Sequence, residues 1–472
     1  MKTKFLALAL SLGLLISSCS NNDDPITVPE TAPLTGTESV VVGGTTTFSS
    51  TTPGGTYSSG TPSVATVGAT TGVITAVSVG TSIITYNVPG SEIVTRTVTV
   101  TATPAATGEI TGPIEADKTY AYGNYTLKGI VKIKAGVTVT FEAGSTITID
   151  KQNGDNALVV LKGAKLITKG TADKPVVFTE KSKLPGSWGG IIIYGDAPVK
   201  VAGGGASSTS EDGNNISYGG TNATDNSGSL VYTRVEYAGS KLADGNKENN
   251  GFTFYSVGSG TVLDHLVSYK GADDGYEFFG GTVSMTNAIS YGNTDDAFDW
   301  QDGWQGQANT NWFAYQTEKG NYGMEIEASA NDNSYGPKVT NITLKRDANN
   351  IPEQSDNQVD AFQFKREGNG EYSNIIIDGY GNFTDPANTT FKGSAVRIQD
   401  DATNTHQVNT GKIKLLNVKI TNTTNVLPIG ATDLIVVAFP AGNFTQSTTA
   451  TGASLTTGAW CTVDGVDLLS KK

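Results

Sequence analysis

Asp273-Asp-Gly-Tyr-Glu-Phe-Phe279 and Asp295-Asp-Ala-Phe-Asp-Trp-Gln301 are two versions of one seven-residue frame, and they stand 22 residues apart. The frame recurs at Asn249-Asn-Gly-Phe-Thr-Phe-Tyr255, Asn321-Tyr-Gly-Met-Glu-Ile-Glu327, Val359-Asp-Ala-Phe-Gln-Phe-Lys365 and Gly393-Ser-Ala-Val-Arg-Ile-Gln399. The third position is Gly or Ala, the fourth and sixth are apolar, and the fifth is polar. Such alternation marks a strand with one face in a core. A second frame follows the first: Val262-Leu-Asp-His265, Val283-Ser-Met-Thr-Asn287, Val339-Thr-Asn341, Tyr372-Ser-Asn374 and Leu415-Leu-Asn417, each leading into another alternating run. A repeat of about 22 residues suits one coil of a parallel β-helix. The frame predicts Phe252, Tyr276, Phe298, Met324, Phe362 and Val396 inside and the fifth positions outside. It also predicts that the Asn series stacks its amides at one turn, satisfying backbone and side chain together.

Outward from this stretch the repeat loosens. The fifth positions later lie 26, 38 and 34 residues apart, which places extra chain in loops near 302–320, 346–358, 379–392 and 400–410. Earlier coils are expected over 131–200, as at Val137-Thr-Val-Thr-Phe141 and Ile191-Ile-Ile-Tyr194, with a long polar loop near 202–228. The β-helix is thus expected over 109–472, after a linker at 103–108. Residues 35–102 form a separate small sandwich, with a period-two strand at Val98-Thr-Val-Thr101. Composition agrees with an all-β chain rich in turns: 57 Gly of 472 residues and only 16% charged. A formal charge of −13 argues against a nucleic-acid partner, because an acidic surface repels phosphate. The two cysteines, Cys19 and Cys461, make no disulfide framework if Cys19 is modified, and two histidines are too few for a His-rich metal site.

The N-terminus reads as an address. Lys2 and Lys4 precede an apolar run from Phe5 to Ile16, too short for an ordinary spanning helix. Leu15-Ile16-Ser17-Ser18-Cys19 resembles the lipobox of bacterial lipoproteins, which implies cleavage after residue 18 and a lipid anchor on Cys19. Ser20-Asn21-Asn22-Asp23-Asp24 resembles the surface-export signal of Bacteroidota lipoproteins, and residues 19–34 read as an extended tether. Ser63-Val-Ala-Thr-Val67, Gly72-Val-Ile-Thr-Ala76 and Gly80-Thr-Ser-Ile-Ile-Thr85 resemble the group 2 bacterial immunoglobulin-like (BIG2) domain in order and spacing. That resemblance implies an Ig-like β-sandwich serving as a spacer, and no chemistry. The second frame, with Trp188-Gly-Gly190, Val257-Gly-Ser-Gly260 and Gly280-Gly-Thr282, resembles a family of Bacteroidota surface lipoproteins with right-handed parallel β-helix folds. It covers most of 109–472 and brings no catalytic residue with it.

Chemistry is expected first at an acidic cluster. Asp273, Asp274, Glu277, Asp295, Asp296 and Asp299 hold matching positions in adjacent coils. Strands about 4.8 Å apart would stack Glu277 and Asp299 as an exposed pair, with Glu325 next in line. Like charges so close repel, and a calcium ion held by Asp274, Glu277, Asp296 and Asp299 would relieve that. The spacing is also near the roughly 5–5.5 Å of the two carboxylates in retaining glycosidases, which makes Glu277 and Asp299 the candidates for catalysis. The weightier alternative is structural: Asp before Gly forms turns, and Asp274, Asp296 and Asp360 share parity with buried positions and would cap a turn. Trp304 and Trp312 fall in the loop after the acidic coil, where they would stack on a sugar or pin the loop. With Asp273, Glu277, Asp295, Asp299 and Glu325 they make up the candidate ligand face. His265 sits in the Asn series and is expected to be structural, while His406 lies in a loop without an identifiable partner.

Two β-helix enzyme classes offer points of comparison. Asn293-Thr-Asp295, Asp273-Asp274 and Arg397-Ile-Gln399 overlap with polygalacturonase motifs. The order is wrong, no Gly-His-Gly exists and Gln399 replaces a lysine, so the overlap reads as coincidence. Pectate lyases need calcium and a basic residue, and Lys365, Arg366 and Arg397 are expected several coils from the acidic pair. The balance favours a non-enzymatic surface lipoprotein that binds an extracellular ligand, expected to be a glycan, along the β-helix flank. The alternatives are a polysaccharide lyase or glycoside hydrolase, and a structural component of an outer-membrane assembly.

Overall fold

The structure is a computed structural model that describes residues 27–151, 155–241, 249–317, 319–332, 336–348, 358–384, 390–431 and 435–472. The expected leader, Cys19 and the acidic residues after it lie outside the described residues. The chain divides into two compact units at Pro104–Ala105. In the first, a four-stranded sheet (Ser39–Val41, Val94–Thr101, Gly80–Asn87, Thr56–Ser59) and a three-stranded sheet (Thr45–Thr47, Val73–Ala76, Ala65–Val67) share one core. That core holds Leu34, Phe48, Ala65, Ile74, Ile84, Tyr86, Val98 and Val100. The expected tether is shorter than 19–34, because Leu34 is buried here and Thr31 Oγ1 donates to the Glu92 carbonyl.

The second unit is a right-handed parallel β-helix. One long sheet climbs from Ala106–Thr111 through Gly228–Glu236, Val262–Tyr269, Met285–Tyr291, Asn309–Gln316, Lys338–Arg346, Gly370–Asp378 and Ile413–Thr421 to Phe444–Gln446. The other climbs from Ile130–Ile133 through Ile191–Tyr194, Phe252–Tyr255, Tyr276–Phe279, Phe298–Gln301, Met324–Ile326 and Gln358–Phe364 to Thr390–Ile398. Residues 106–108, expected in a linker, already pair with Gly123–Tyr125 in the first coil. All six copies of the first frame align in register, Phe252 beside Tyr276, then Phe298, Met324, Phe362 and Val396. These side chains are buried and the rings stack, Phe252 on Tyr276 at 5.2 Å and Tyr276 on Phe298 at 5.3 Å.

The expected loop at 302–320 contains a further rung of the second frame, Asn309–Gln316. Trp312 therefore sits in a strand, beside Ala288 and Ile342. Its indole replaces the aliphatic residue of other rungs, and small Ala288 below it leaves the room. Asn287, Asn311, Asn341, Asn374 and Asn417, with His265 and Tyr232 before them, all take positive φ between 47° and 59°. Asn tolerates this left-handed backbone better than most side chains. The amides then bond rung to rung: Asn311 Nδ2 to Asn287 Oδ1 at 2.9 Å, Asn341 to Asn311 at 3.2 Å and Asn374 to Asn341 at 2.7 Å. This is the stacked series the frame predicts.

From Ser447 the chain runs back along that ladder. Thr451 N donates to Asn374 Oδ1 (2.8 Å), Ser454 N to Asn311 Oδ1 (3.1 Å) and Trp460 N to the Ala172 carbonyl (2.9 Å). This strap covers Tyr237, Tyr269, Tyr291 and Tyr315 with Leu455, Trp460, Val463, Leu468 and Leu469.

Candidate functional site

The fifth positions of the frame form one column, Thr253, Glu277, Asp299, Glu325, Gln363 and Arg397, each one strand from the next. They point away from the core, as expected, but Glu277 and Asp299 are not exposed: they keep 6% and 8% of their surface. The face they occupy is roofed. A hairpin of Ser208–Thr209 and Ser217–Tyr218 brings Tyr218 against Tyr255 and Phe279, which flank the column. Asn250 Nδ2 donates to Glu277 Oε2 (2.5 Å) and Gln301 Nε2 to Oε1 (3.2 Å).

Asp274 and Asp296 have the turn-capping role that their parity suggested. Asp274 Oδ1 accepts the Asp296 N–H and Asp296 Oδ1 accepts the Tyr322 N–H, both at 2.8 Å, tying each turn to the next. The remaining oxygens converge. One carboxylate oxygen each of Asp274, Glu277 and Asp299 lie within 4.8 Å of one another, as do those of Asp273, Asp274 and Asp295. Asp296, expected as a fourth calcium ligand, belongs to neither group. Burial pushes Asp274, Glu277, Asp296 and Asp299 well above the usual carboxylate range. Mutual repulsion adds to this: Asp296 acts on Asp274, Glu211 and Asp299 on Glu277, and Glu325 on Asp296 and Asp299. Asp299 Oδ1 is buried with no hydrogen-bond partner. An orphaned buried oxygen among hard oxygen donors fits a calcium ion.

A basic group stands closer than the sequence suggested. Lys365 lies one strand beyond Glu325, and its Nζ reaches back to bond Glu325 and to lie 3.9 Å from Glu327 Oε2. Arg366 Nη1 is 3.6 Å from the same Glu327 oxygen. Burial alone would lower the Lys365 ammonium, but Glu325, Asp299 and Glu327 together hold it above the ordinary lysine range. Lys365 is partly exposed and Arg366 half-exposed, so this rung is where the column meets solvent. The signal was in the frame: Glu327 and Lys365 are seventh positions of successive copies, and the outward parity of the fifth extends to the seventh. Arg397, by contrast, is fully buried, ion-paired with Asp360 (2.6 Å) and donating from Nη1 to the Gly430 carbonyl (3.2 Å), so it offers no charge to a ligand.

Neither tryptophan offers a sugar platform. Trp304 and Trp312 are buried, stacked on Phe278 (4.3 Å) and Phe298 (4.5 Å), with their Nε1 donating to the Val283 and Met285 carbonyls. His265 is structural as expected, stacked on Tyr232 at 4.1 Å and bonded to Asp264. His406 does have a partner: its Nδ1 lies 2.6 Å from Glu367 Oε1. The contact spans 39 residues, so local sequence could not show it.

The model of a family described as a pectate-lyase-like β-helix domain matches residues 112–463. No curated protein matches the sequence. Among solved structures, the catalytic domain of a GH87 α-1,3-glucanase in complex with nigerose is 9% identical, with 86% of this chain and 83% of that one covered and a TM-score of 0.24. A family 28 exopolygalacturonase from Yersinia enterocolitica is 11% identical, covering 85% and 89%, with a TM-score of 0.19. At such scores neither superposition speaks to the site.

Proposed function

Since the chain belongs to the pectate-lyase-like β-helix family, we propose that it is a lipid-anchored surface protein that binds an extracellular glycan on the β-helix flank without cleaving it. The observation that carries this reading is the Lys365–Arg366 pair fixed over Glu325 and Glu327 at the accessible rung of the buried column. Cationic N–H donors beside carboxylate acceptors suit sugar hydroxyls, and their anchoring from below lowers the ordering cost of binding. The same geometry weighs against a lyase. A base must accept a proton, whereas Lys365 is held protonated by three carboxylates. Glu277 and Asp299, the candidates for hydrolysis, are buried. Calcium, where bound, would be held by Asp274, Glu277 and Asp299 and would offset the charge of these three carboxylates. Cys19 as lipid anchor, Asp23-Asp24 as export signal and the first unit as a BIG2-like spacer complete the proposal.

The runner-up, a polysaccharide lyase or hydrolase, draws its support from the raised carboxyls of Glu277 and Asp299 on adjacent strands. A glycan array with product analysis on the soluble chain from residue 20 separates the two. Binding without new reducing or unsaturated ends, weakened by Lys365→Met, is the expected result. Shortened products would establish the enzyme, and an array without any bound glycan would remove both readings.

A further inference from the structure

The turn that carries the accessible rung is strained and held from outside. Arg366 and Glu367 both have positive φ, 46° and 70°, which side-chain-bearing residues adopt only where their surroundings enforce it. On one side Ala328 N and Ala330 N donate to the Arg366 carbonyl. On the other lies residues 400–408, a short helical turn inserted after the sixth frame. Asp400 caps it, accepting from Thr403 N at 2.8 Å, and turns its second oxygen to Arg366 N at 2.7 Å. Thr403 Oγ1 accepts from Glu367 N (2.8 Å). The buried Glu367 carboxylate is then gripped at both oxygens, by Gln407 Nε2 and by His406 Nδ1, each at 2.6 Å. Of these latch contacts, the imidazole is the one that changes charge between about pH 5 and 8.

We propose that His406 is a positioning residue of the ligand face: paired with Glu367, its imidazolium presses residues 400–408 onto the Lys365–Gly368 turn, and loss of its proton loosens Lys365 and Arg366 from Glu325 and Glu327. Glu367 and Asp332 face the imidazole and favour its charged form, while Lys412 opposes it and is itself bonded to Asp332. The hydrogen bond to Glu367 raises the His406 pKa above its ordinary value. A raised pKa means that the latch is closed at low pH and opens as pH climbs through the folded-state value. The functional sense of this device rests on the proposed glycan-binding face, but its test requires no ligand.

The chain has two histidines, so histidine-selective 13C labelling of the full protein yields two imidazole titrations, with His265 as the internal control. Hydrogen exchange of peptides covering residues 360–370 reads the latch directly. Protection of the Arg366 and Glu367 amides, corrected for intrinsic exchange, should fall about two- to fivefold as pH crosses the His406 midpoint, the size expected of a half-exposed ion pair. His406→Gln should show the lower protection at every pH, with Phe362 and Phe364 unchanged, and Glu367→Gln should lower the His406 midpoint. Protection that stays level through the midpoint, or that varies as much in His406→Gln, overturns the proposal. The wild-type titration alone decides if a variant does not fold. Failure of the glycan reading would show only on the array and would leave this result standing.

Discussion

Lys365→Met tests whether the column depends on one cation. Methionine keeps most of the apolar stem and removes the charge that touches Glu325, lies 3.9 Å from Glu327 and offsets Asp299. At 4 Å and an effective dielectric near 20, each such contact is worth about 4 kcal/mol before desolvation. Lys365 retains 30% exposure, so screening and the recovered desolvation return much of that. A net loss of about 2–3 kcal/mol at pH 7 follows, below the full cost of breaking a buried pair. The loss should shrink toward pH ~4, because Asp299 and Glu327, both held above the usual carboxylate range, take up protons first. The lysine stays charged throughout that window. Urea unfolding followed by tryptophan fluorescence isolates the right unit, since Trp188, Trp300, Trp304, Trp312 and Trp460 all lie in the β-helix. A loss under about 0.5 kcal/mol, or one equal at pH 4.5 and 7, would refute the account.

Three further outcomes are expected. In chelator, stability should decline as pH rises above ~4 through the elevated pKa values of Asp274, Glu277, Asp296 and Asp299, because the folded state retains protons that the unfolded chain releases. Calcium at a hundred times its Kd should restore about 2.7 kcal/mol in calorimetry, and Glu277→Gln with Asp299→Asn should abolish that response; a wild-type melting temperature indifferent to calcium sinks the cation site. Phe298→Ala, at a fully buried ring stacked between Tyr276 and Trp312, should cost about 3–5 kcal/mol in the same urea assay, and an unchanged midpoint would contradict its place in the core. Cys19→Ala should move the protein out of the membrane fraction, and unaltered fractionation would dismiss the anchor.

The repeat was readable because alternation and period are local. They set Phe252, Tyr276 and Phe298 inside and put Glu277 in line with Asp299 without any knowledge of the rest of the chain. What alternation cannot report is whether a second layer covers the outward face. Glu277 points away from the core and is buried all the same, because Asn250, Gln301 and the 208–218 hairpin close over it. Trp312 hides its strand for a different reason: its indole stands where the other rungs carry Thr, Leu, Ala, Ile or Val. Lys365 and His406 found their partners across rungs of unequal length, 40 residues from Glu325 and 39 from Glu367, distances at which spacing holds no geometric information.

The returning strap changes what kind of object the β-helix is. A solenoid ordinarily passes stability from neighbour to neighbour, so that an end can fray while the middle persists. Here Asp464 pairs with Lys183 across 281 positions of sequence, and Arg234 donates to the Ala459 carbonyl across 225. A stretch late in the sequence is thus spliced to much earlier rungs. Without it, the faces of Tyr237, Tyr269, Tyr291 and Tyr315 lack their cover. A chain without the strap would present that greasy seam to its surroundings, much as an unzipped garment cannot hold its shape however sound its cloth. Loss of residues 447–472 would therefore strip one face of the solenoid along several rungs at once.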